Sequence, residues 1–194
     1  MDITTDIIKS LRDETGVSVM QCKKALQEAG GDVEKAKVIL RKASTAIAAK
    51  KSDRTLGAGI AASYTHAGGA VIGAIILSCE TDFVSKNEEF PKLAYDIAMH
   101  VAAMSPIFVT RSDVQEEDIA AARSVFEDEA KDRPEEMRAK IVEGKLDAFL
   151  KDKILLEQPF VKDAAKTIKQ LIDEAVQKFG EKIEVTRMVR LSVR

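Results

Sequence analysis

The chain contains no tryptophan, and aromatic residues make up only 5% of its 194 residues. Proteins that hold single-stranded nucleic acid usually stack bases on aromatic side chains, so such a platform is hard to build here. Basic charge is not in excess either, because 30 lysine and arginine residues face 32 aspartate and glutamate residues and the formal net charge is −2. The composition argues against a dedicated nucleic-acid-binding protein, and we expect no direct nucleic-acid partner.

Cysteine is scarce, and long hydrophobic runs are missing. Cys22 and Cys79 lie far apart and form no CxxC pair, so we interpret them as small buried residues in a reducing compartment. The longest apolar run, AVIGAIIL at 70–77, is too short to span a membrane, and the N-terminal residues have neither the basic region nor the apolar segment of a signal peptide. We therefore expect a cytoplasmic protein with no membrane partner.

The motifs of the common catalytic and ligand-binding sites are also missing. The sequence has no GxxxxGK[ST] phosphate loop, no GxSxG, no HExxH and no EF-hand loop, and histidine occurs only as His66 and His100. The segment GAGIAAS resembles a dinucleotide-binding turn only superficially, because no strand precedes it and no third glycine follows at the required spacing. We therefore expect no covalent catalysis, no cofactor and no metal site.

Three short amphipathic helices are predicted at the start of the chain. Ser18 and Asp32 stand where the second and third of these helices would be capped. Each apolar stripe is too small to be buried alone, so the three helices are expected to pack together as a bundle. The charged segment at 46–56 interrupts the apolar pattern and reads as a linker. We predict one domain at 1–52 and a second at 53–194.

The second predicted domain combines strands with helices. A hairpin is predicted from 57–66 and 70–79 around the turn AGG, and the alternating segment 181–194 predicts a third strand beside it. Helical patterns lie between, and the segment AAKTIKQLIDEAVQKF is predicted to be a helix capped by Asp163. The expected fold class is α+β, with a three-helix bundle followed by a three-stranded antiparallel sheet packed against helices.

One short segment does not fit a purely structural interpretation. The strand ending at Cys79 runs into Thr81, Asp82, Phe83 and Val84, after which the chain becomes polar. Phe83 could fold back over the edge of the sheet as a core residue, or it could form an exposed apolar tip beside Asp82. An exposed tip would call for a partner to cover it, and burying one phenylalanine is worth about 1.5–3 kcal/mol.

Several long segments carry a resemblance to a known family. TDFVSKNEEF and LRDETGVSVMQCKKALQEAGGDVEKAKVILRK, with SYTHAGGAVIG, DIAMHVAA and KIVEGKLDAFLKDKILLEQPFVKD, closely resemble bacterial translation elongation factor Ts over essentially the whole chain. The resemblance implies a ubiquitin-associated-like N-terminal bundle and a guanine-nucleotide exchange factor that binds elongation factor Tu in its GDP-bound and nucleotide-free states. It also implies the short form of the family, with a single core subdomain, which would pair as a homodimer through its three-stranded sheets.

The resemblance implies that the segment at 81–84 meets the GTPase domain of elongation factor Tu. Phe83 would act as a wedge near the Mg²⁺ site, and Asp82 would hydrogen-bond at the same junction. Thr81 and Val84 would frame the turn. No covalent step is needed, because a protein that binds the nucleotide-free state more tightly weakens GDP binding by the same factor.

The resemblance assigns further contacts to the N-terminal bundle and the hairpin. Leu11, Val19 and Met20 would dock a separate helix of the GTPase domain. Val19 departs from the methionine that is common at its position in the long form of the family. His66 lies at the tip of the predicted hairpin and would touch a different domain of the partner.

Two other functions can be argued from single features. A three-helix bundle alone is compatible with an adaptor or chaperone that binds peptides or ubiquitin-like folds, but this leaves the second domain and the segment 81–84 unexplained. A small hydrolase using Asp82 and His100 is the other, although their spacing gives no reason to expect one. His100 borders the apolar stripe of its predicted helix, which favours a structural role.

Overall fold

The computed structural model describes residues 3–193; residues 1, 2 and 194, at the outer ends of the two predicted domains, lie outside it. The described residues contain eight α-helices and five β-strands, so the predicted α+β class is confirmed. Contacts group the chain into two compact units. Unit 1 is Met1–Ala62, Ile76–Ala94 and Gln170–Thr186, and unit 2 is Ser63–Ile75, Tyr95–Lys169 and Arg187–Arg194.

Three helices open unit 1, as the sequence predicts: α1 (Thr5–Thr15), α2 (Val19–Glu28) and α3 (Val33–Ala49). Each begins where a side chain accepts a backbone N–H bond, and the three caps are Thr4, Ser18 and Asp32. Gly16 ends α1 with φ at 68°, a left-handed conformation that glycine adopts without strain. The helices share one apolar core, which contains Leu11, Val17, Cys22, Ala25, Leu26, Ala36 and Leu40.

Five strands follow the bundle: β1 (Ala58–His66), β2 (Val71–Cys79), β3 (Pro159–Phe160), β4 (Asp163–Thr167) and β5 (Ile183–Ser192). The larger sheet is antiparallel with the order β1-β2-β5, which confirms the predicted hairpin and third strand. β2 is the central strand, in agreement with its apolar sequence on both faces. A short 3₁₀ turn, Ala67–Gly69, joins β1 to β2.

The remaining helices are α4 (Asp82–Ser85), α5 (Phe90–Met104), α6 (Glu116–Glu129), α7 (Glu135–Lys153) and α8 (Ile168–Phe179). In unit 2, Gly73 of β2 lets the strand approach α5 closely. A Cβ atom on Gly73 would lie 2.3 Å from the carbonyl oxygen of Ala98 and 2.6 Å from the nitrogen of Ala102. Helices α6 and α7 pack around their own apolar cluster, in which Leu146, Leu150 and Ile154 are buried.

The helix cap predicted at Asp163 is wrong. Residues 163–167 form β4, which pairs antiparallel with β3, and α8 begins only at Ile168. The backbone N–H of Ile168 donates to the carbonyl oxygen of Gln158 at 3.1 Å, so the start of α8 is tied to the residue before β3. Pairing with a strand that is nearby in space outweighs the local helical preference of this segment.

Candidate functional site

The residues after β2 form a compact hydrogen-bonded turn, residues 81–87, which we call the Phe83 turn. Its backbone is closed by N–H groups of Lys86 and Asn87, which donate to the carbonyl oxygens of Asp82 and Val84, each at 3.0 Å. Neighbouring side chains have opposite environments, because Val84 is 3% exposed and Phe83 is 82% exposed. Of the two placements that the sequence left open, the structure shows the exposed tip.

Buried side chains hold the Phe83 turn on its inner side. Val84 is in the core, and Phe90, at the start of α5, is fully buried. The ring of Phe90 packs edge-to-face against Phe179 of α8, with centroids 5.9 Å apart and an angle of 77° between the rings. Phe83 stays in water although the neighbouring Val84 and the nearby Phe90 are buried, so the turn presents one aromatic side chain on a base that is fixed in the core.

A charged pair accompanies the exposed ring. Lys86 donates to the carboxylate of Asp82 at 2.6 Å, and both side chains are largely exposed. This hydrogen bond is the main reason that the pKa of Asp82 is lowered, so Asp82 carries a negative charge at neutral pH. Because water competes strongly for exposed ion pairs, Asp82 can exchange Lys86 for another donor at little cost.

Every polar group of Thr81 is engaged. Its N–H donates to one carboxylate oxygen of Glu181 at 3.0 Å, and its hydroxyl donates to the other at 2.5 Å. Its carbonyl oxygen accepts from the thiol of Cys79 at 3.2 Å. Burial is the main cause of the raised pKa of Cys79, and the charge of Glu181 adds to it, so the thiol remains protonated and can donate.

The carboxylate of Glu80 connects the same two segments in the opposite direction, from the end of β2 to the residue after Glu181. Glu80 accepts the backbone N–H of Lys182 at 2.6 Å and a guanidinium N–H of Arg54 at 3.1 Å. The bond from Lys182 is the main cause of the lowered pKa of Glu80, and the bond from Arg54 adds to it. Two carboxylates therefore join residues 80–81 to residues 181–182. The side chain of Glu80 binds Lys182, and the side chain of Glu181 binds Thr81.

The segment predicted as a linker makes specific contacts within unit 1. Helix α3 continues to Ala49, and beyond it Lys51 donates to the carbonyl oxygen of Gly180 at 2.7 Å. The side chain of Lys182 donates to the carbonyl oxygen of Ser52 at 2.6 Å. With Arg54 on Glu80, these bonds connect the chain leaving the bundle to the residues that support the Phe83 turn.

The bundle exposes only part of the contact set that the resemblance implies. Val19 and Met20, at the start of α2, are 51% and 76% exposed. Leu11 is 1% exposed and lies in the core of the bundle, so it does not share their surface. The expectation that Leu11 itself contacts a partner does not fit this burial, and its place in the apolar stripe of α1 was the available signal.

His66 and His100 have different environments in unit 2. His66 is exposed at the end of β1, and its Nδ1 lies 3.2 Å from the hydroxyl oxygen of Tyr64. His100 is fully buried: its Nδ1 accepts the N–H of Val161 at 3.2 Å, so its Nε2–H donates to Gln158 at 2.8 Å. Burial lowers the pKa of His100. Because the side chain is fully buried, a substrate in solution cannot reach either ring nitrogen of His100.

Within residues 3–193, no group of three or more His, Cys, Asp or Glu side chains is arranged to hold a metal ion. None of the helices described there combines the length and the apolar character that crossing a membrane requires.

Comparison with known proteins matches the whole chain. The family model for "Elongation factor TS" matches residues 2–194. Elongation factor Ts of Thermosipho melanesiensis is 47% identical over an alignment of 193 residues that covers 98% of this chain and 98% of the relative. Elongation factor Ts of Thermotoga maritima is 45% identical over 193 residues (100% of this chain, 97% of the relative), and that of Desulforamulus reducens is 46% identical over 191 residues (97% and 88%). With a full-length family match and such relatives, the chain belongs to the elongation factor Ts family.

Proposed function

We propose that the chain promotes release of GDP from elongation factor Tu, so that GTP can bind, and that Phe83 does this by inserting into the GTPase domain near its Mg²⁺ site. The observation that carries the proposal is the 82% exposure of Phe83 on a turn whose next residue, Val84, is buried. Asp82, beside it, supplies a carboxylate that hydrogen-bonds at the same junction. No group of the chain takes part in bond making or breaking.

The energetics of one buried ring are sufficient for a useful effect. Transferring a phenylalanine side chain from water to a protein interior stabilises a complex by about 1.5–3 kcal/mol. Each 1.4 kcal/mol corresponds to a factor of about ten in an equilibrium constant. If Phe83 is buried only in the nucleotide-free complex, this one contact weakens GDP binding roughly ten- to hundredfold, because the coupling between two ligands is reciprocal.

The N-terminal bundle provides a second attachment in this proposal. Val19 and Met20 dock a separate helix of the GTPase domain, and Leu11 supports α2 from the core. Docking by the bundle raises the local concentration of the Phe83 turn at its target, so the two contacts together bind more tightly than either alone. His66 contacts a different domain of elongation factor Tu, and its exposure at the end of β1 is compatible with this role.

We also propose that two copies of the chain pair through their three-stranded sheets. The end of β5 leaves an apolar surface in water, since Val189, Leu191 and Val193 are 52%, 60% and 76% exposed. β5 lies at the edge of the sheet, where a second chain can cover such residues. In this proposal the protein acts as a homodimer in the cytoplasm, where its partner works in translation elongation.

The experiment is stopped-flow release of a fluorescent GDP analogue from elongation factor Tu, with the wild type and Phe83→Ala. We expect the wild type to accelerate release and the variant to lose most of the acceleration while its circular dichroism spectrum stays unchanged. Full acceleration by a folded Phe83→Ala variant would exclude the wedge. No acceleration by the wild type would exclude the exchange function itself.

A further inference from the structure

Glu181 occupies a position that the fold determines closely. Helix α8 ends at Phe179, and Gly180 after it turns the chain with a φ of 77° and donates its N–H to the carbonyl oxygen of Val176 at 3.0 Å. On the other side, the N–H of Lys182 is held by Glu80. The backbone around Glu181 is thus fixed before and after it, and its carboxylate reaches Thr81.

We propose that Glu181 is a positioning residue for the Phe83 turn: its carboxylate binds the N–H and the hydroxyl of Thr81 and so sets the direction in which Asp82 and Phe83 leave the sheet. This inference rests on the proposed exchange function for its consequence, but not for its geometry. Thr81 is the residue directly before α4, and its backbone angles are extended, with φ −129° and ψ 162°. A small rotation there displaces the ring of Phe83, because the ring is carried two residues further along.

The hydroxyl of Thr81 binds Glu181 and does not cap the helix that follows it. A threonine before a helix commonly accepts a hydrogen bond from an N–H of the first turn. Thr81 makes no such cap bond, and its hydroxyl is given to Glu181 instead. The single turn of α4 is therefore held by a residue one hundred positions away in sequence.

Loss of the carboxylate is expected to affect exchange more than folding. Without Glu181, water can satisfy the exposed Thr81 groups, while Val84 and Phe90 still anchor the turn in the core. The turn then samples more conformations. Binding must order the turn, and the conformational entropy that is lost reduces the affinity that Phe83 contributes. Because the bundle still docks, the maximal rate of GDP release should fall while the half-saturating concentration changes less.

Three variants test the inference: Glu181→Ala, Glu181→Gln and the control Glu184→Ala. Glutamine keeps an oxygen for the Thr81 N–H and offers an N–H to the Thr81 hydroxyl, so it should rescue. Glu184 lies on the same segment and pairs with Lys182 at 3.1 Å, so its removal tests the loss of a nearby carboxylate. We expect the alanine variant at 181 to lower the maximal GDP release rate about tenfold, the size expected for losing about 1.4 kcal/mol of stabilisation. The other two variants should stay within about twofold of the wild type.

A measurement on the free protein separates this inference from the exchange function. Amide hydrogen exchange of Thr81 should accelerate in Glu181→Ala and return towards the wild-type rate in Glu181→Gln, and chymotryptic cleavage after Phe83 should change in the same order. If Thr81 exchanges equally fast in all variants, the positioning role is refuted, whatever the kinetics show. If the order is found but the wild type does not accelerate GDP release, the support by Glu181 stands and the exchange function is refuted. If the wild type accelerates GDP release and the alanine and glutamine variants at position 181 accelerate it equally, the role of Glu181 in exchange is overturned.

Discussion

Thr81 and Glu181 are joined by two hydrogen bonds, one from the backbone N–H and one from the hydroxyl of Thr81, although one hundred residues separate them in the sequence. The pair connects the segment just after the central strand, which ends at Cys79, to the segment just after the last helix, which ends at Phe179. Because Thr81 directly precedes Asp82 and Phe83, this connection places the most exposed aromatic side chain of the described residues on a fixed support.

Truncation of Val84 should lower the stability of the protein much more than truncation of its neighbour Phe83. Val84→Ala removes two buried methyl groups and should lower the free energy of unfolding by about 1.5–3 kcal/mol, through lost burial and the cavity that remains. Phe83→Ala removes an exposed ring and should change it by less than about 0.5 kcal/mol. Urea denaturation followed by circular dichroism measures both. A large stability loss in Phe83→Ala would show that the ring is packed in solution.

The bundle surface should control affinity and not the maximal rate. Met20→Ala and Val19→Ala should raise the concentration needed for half-maximal GDP release, because each removes an exposed apolar contact to the partner. The maximal rate should be retained, since the Phe83 turn is intact.

Val38→Ala is the matched control for the bundle surface, because Val38 is 50% exposed on α3, almost the same as Val19 on α2. We expect it to behave as the wild type in a titration of elongation factor Tu. If Val38→Ala weakened binding as much as Val19→Ala, the docking surface would have to include α3.

His100 should make stability depend on pH near neutrality. Its folded-state pKa is lowered by burial from an ordinary value of about 6.5, so the unfolded chain binds the proton more readily in the window between the two values. Stability therefore rises with pH through this window and is lost as pH falls from about 6.5 towards the lowered folded-state pKa. Protonation would also remove the acceptor for the N–H of Val161.

The variant His100→Gln removes the titrating group, and thermal or urea unfolding at several pH values compares it with the wild type. The variant should be less stable at pH 8, because the buried hydrogen bonds are disturbed, but its stability should fall less as the pH decreases below about 6.5. An unchanged profile in His100→Gln would contradict the prediction.

The apolar end of β5 should determine assembly. Leu191→Lys places a charge in the proposed contact between two sheets and should shift the protein from dimer to monomer, as measured by size-exclusion chromatography with light scattering. Val125→Lys, at a residue of α6 that is 55% exposed, introduces the same charge elsewhere and should leave the assembly unchanged. A wild type that is monomeric at all concentrations would refute the proposed pairing.

Local pattern was enough to predict most of the fold. Caps at Ser18 and Asp32, helical spacing and the alternation of the hairpin all act over a few residues, and the corresponding elements are present. The cap predicted at Asp163 failed because β4 depends on pairing with β3, a contact that local spacing does not describe. Periodicity also could not decide between burial and exposure for Phe83, since a residue just after a strand can turn to either side.

The sequence alone determined the class of fold, the family and the segment of interest, because helix and strand periodicity and long matching motifs are properties of the chain as written. The three-dimensional fold was needed to place Leu11 in the core, to leave Phe83 exposed and to bring Glu181 to Thr81. Each of these depends on which face of an element is covered or on which distant segments meet. Both are consequences of packing the whole chain, and no short stretch of residues encodes them.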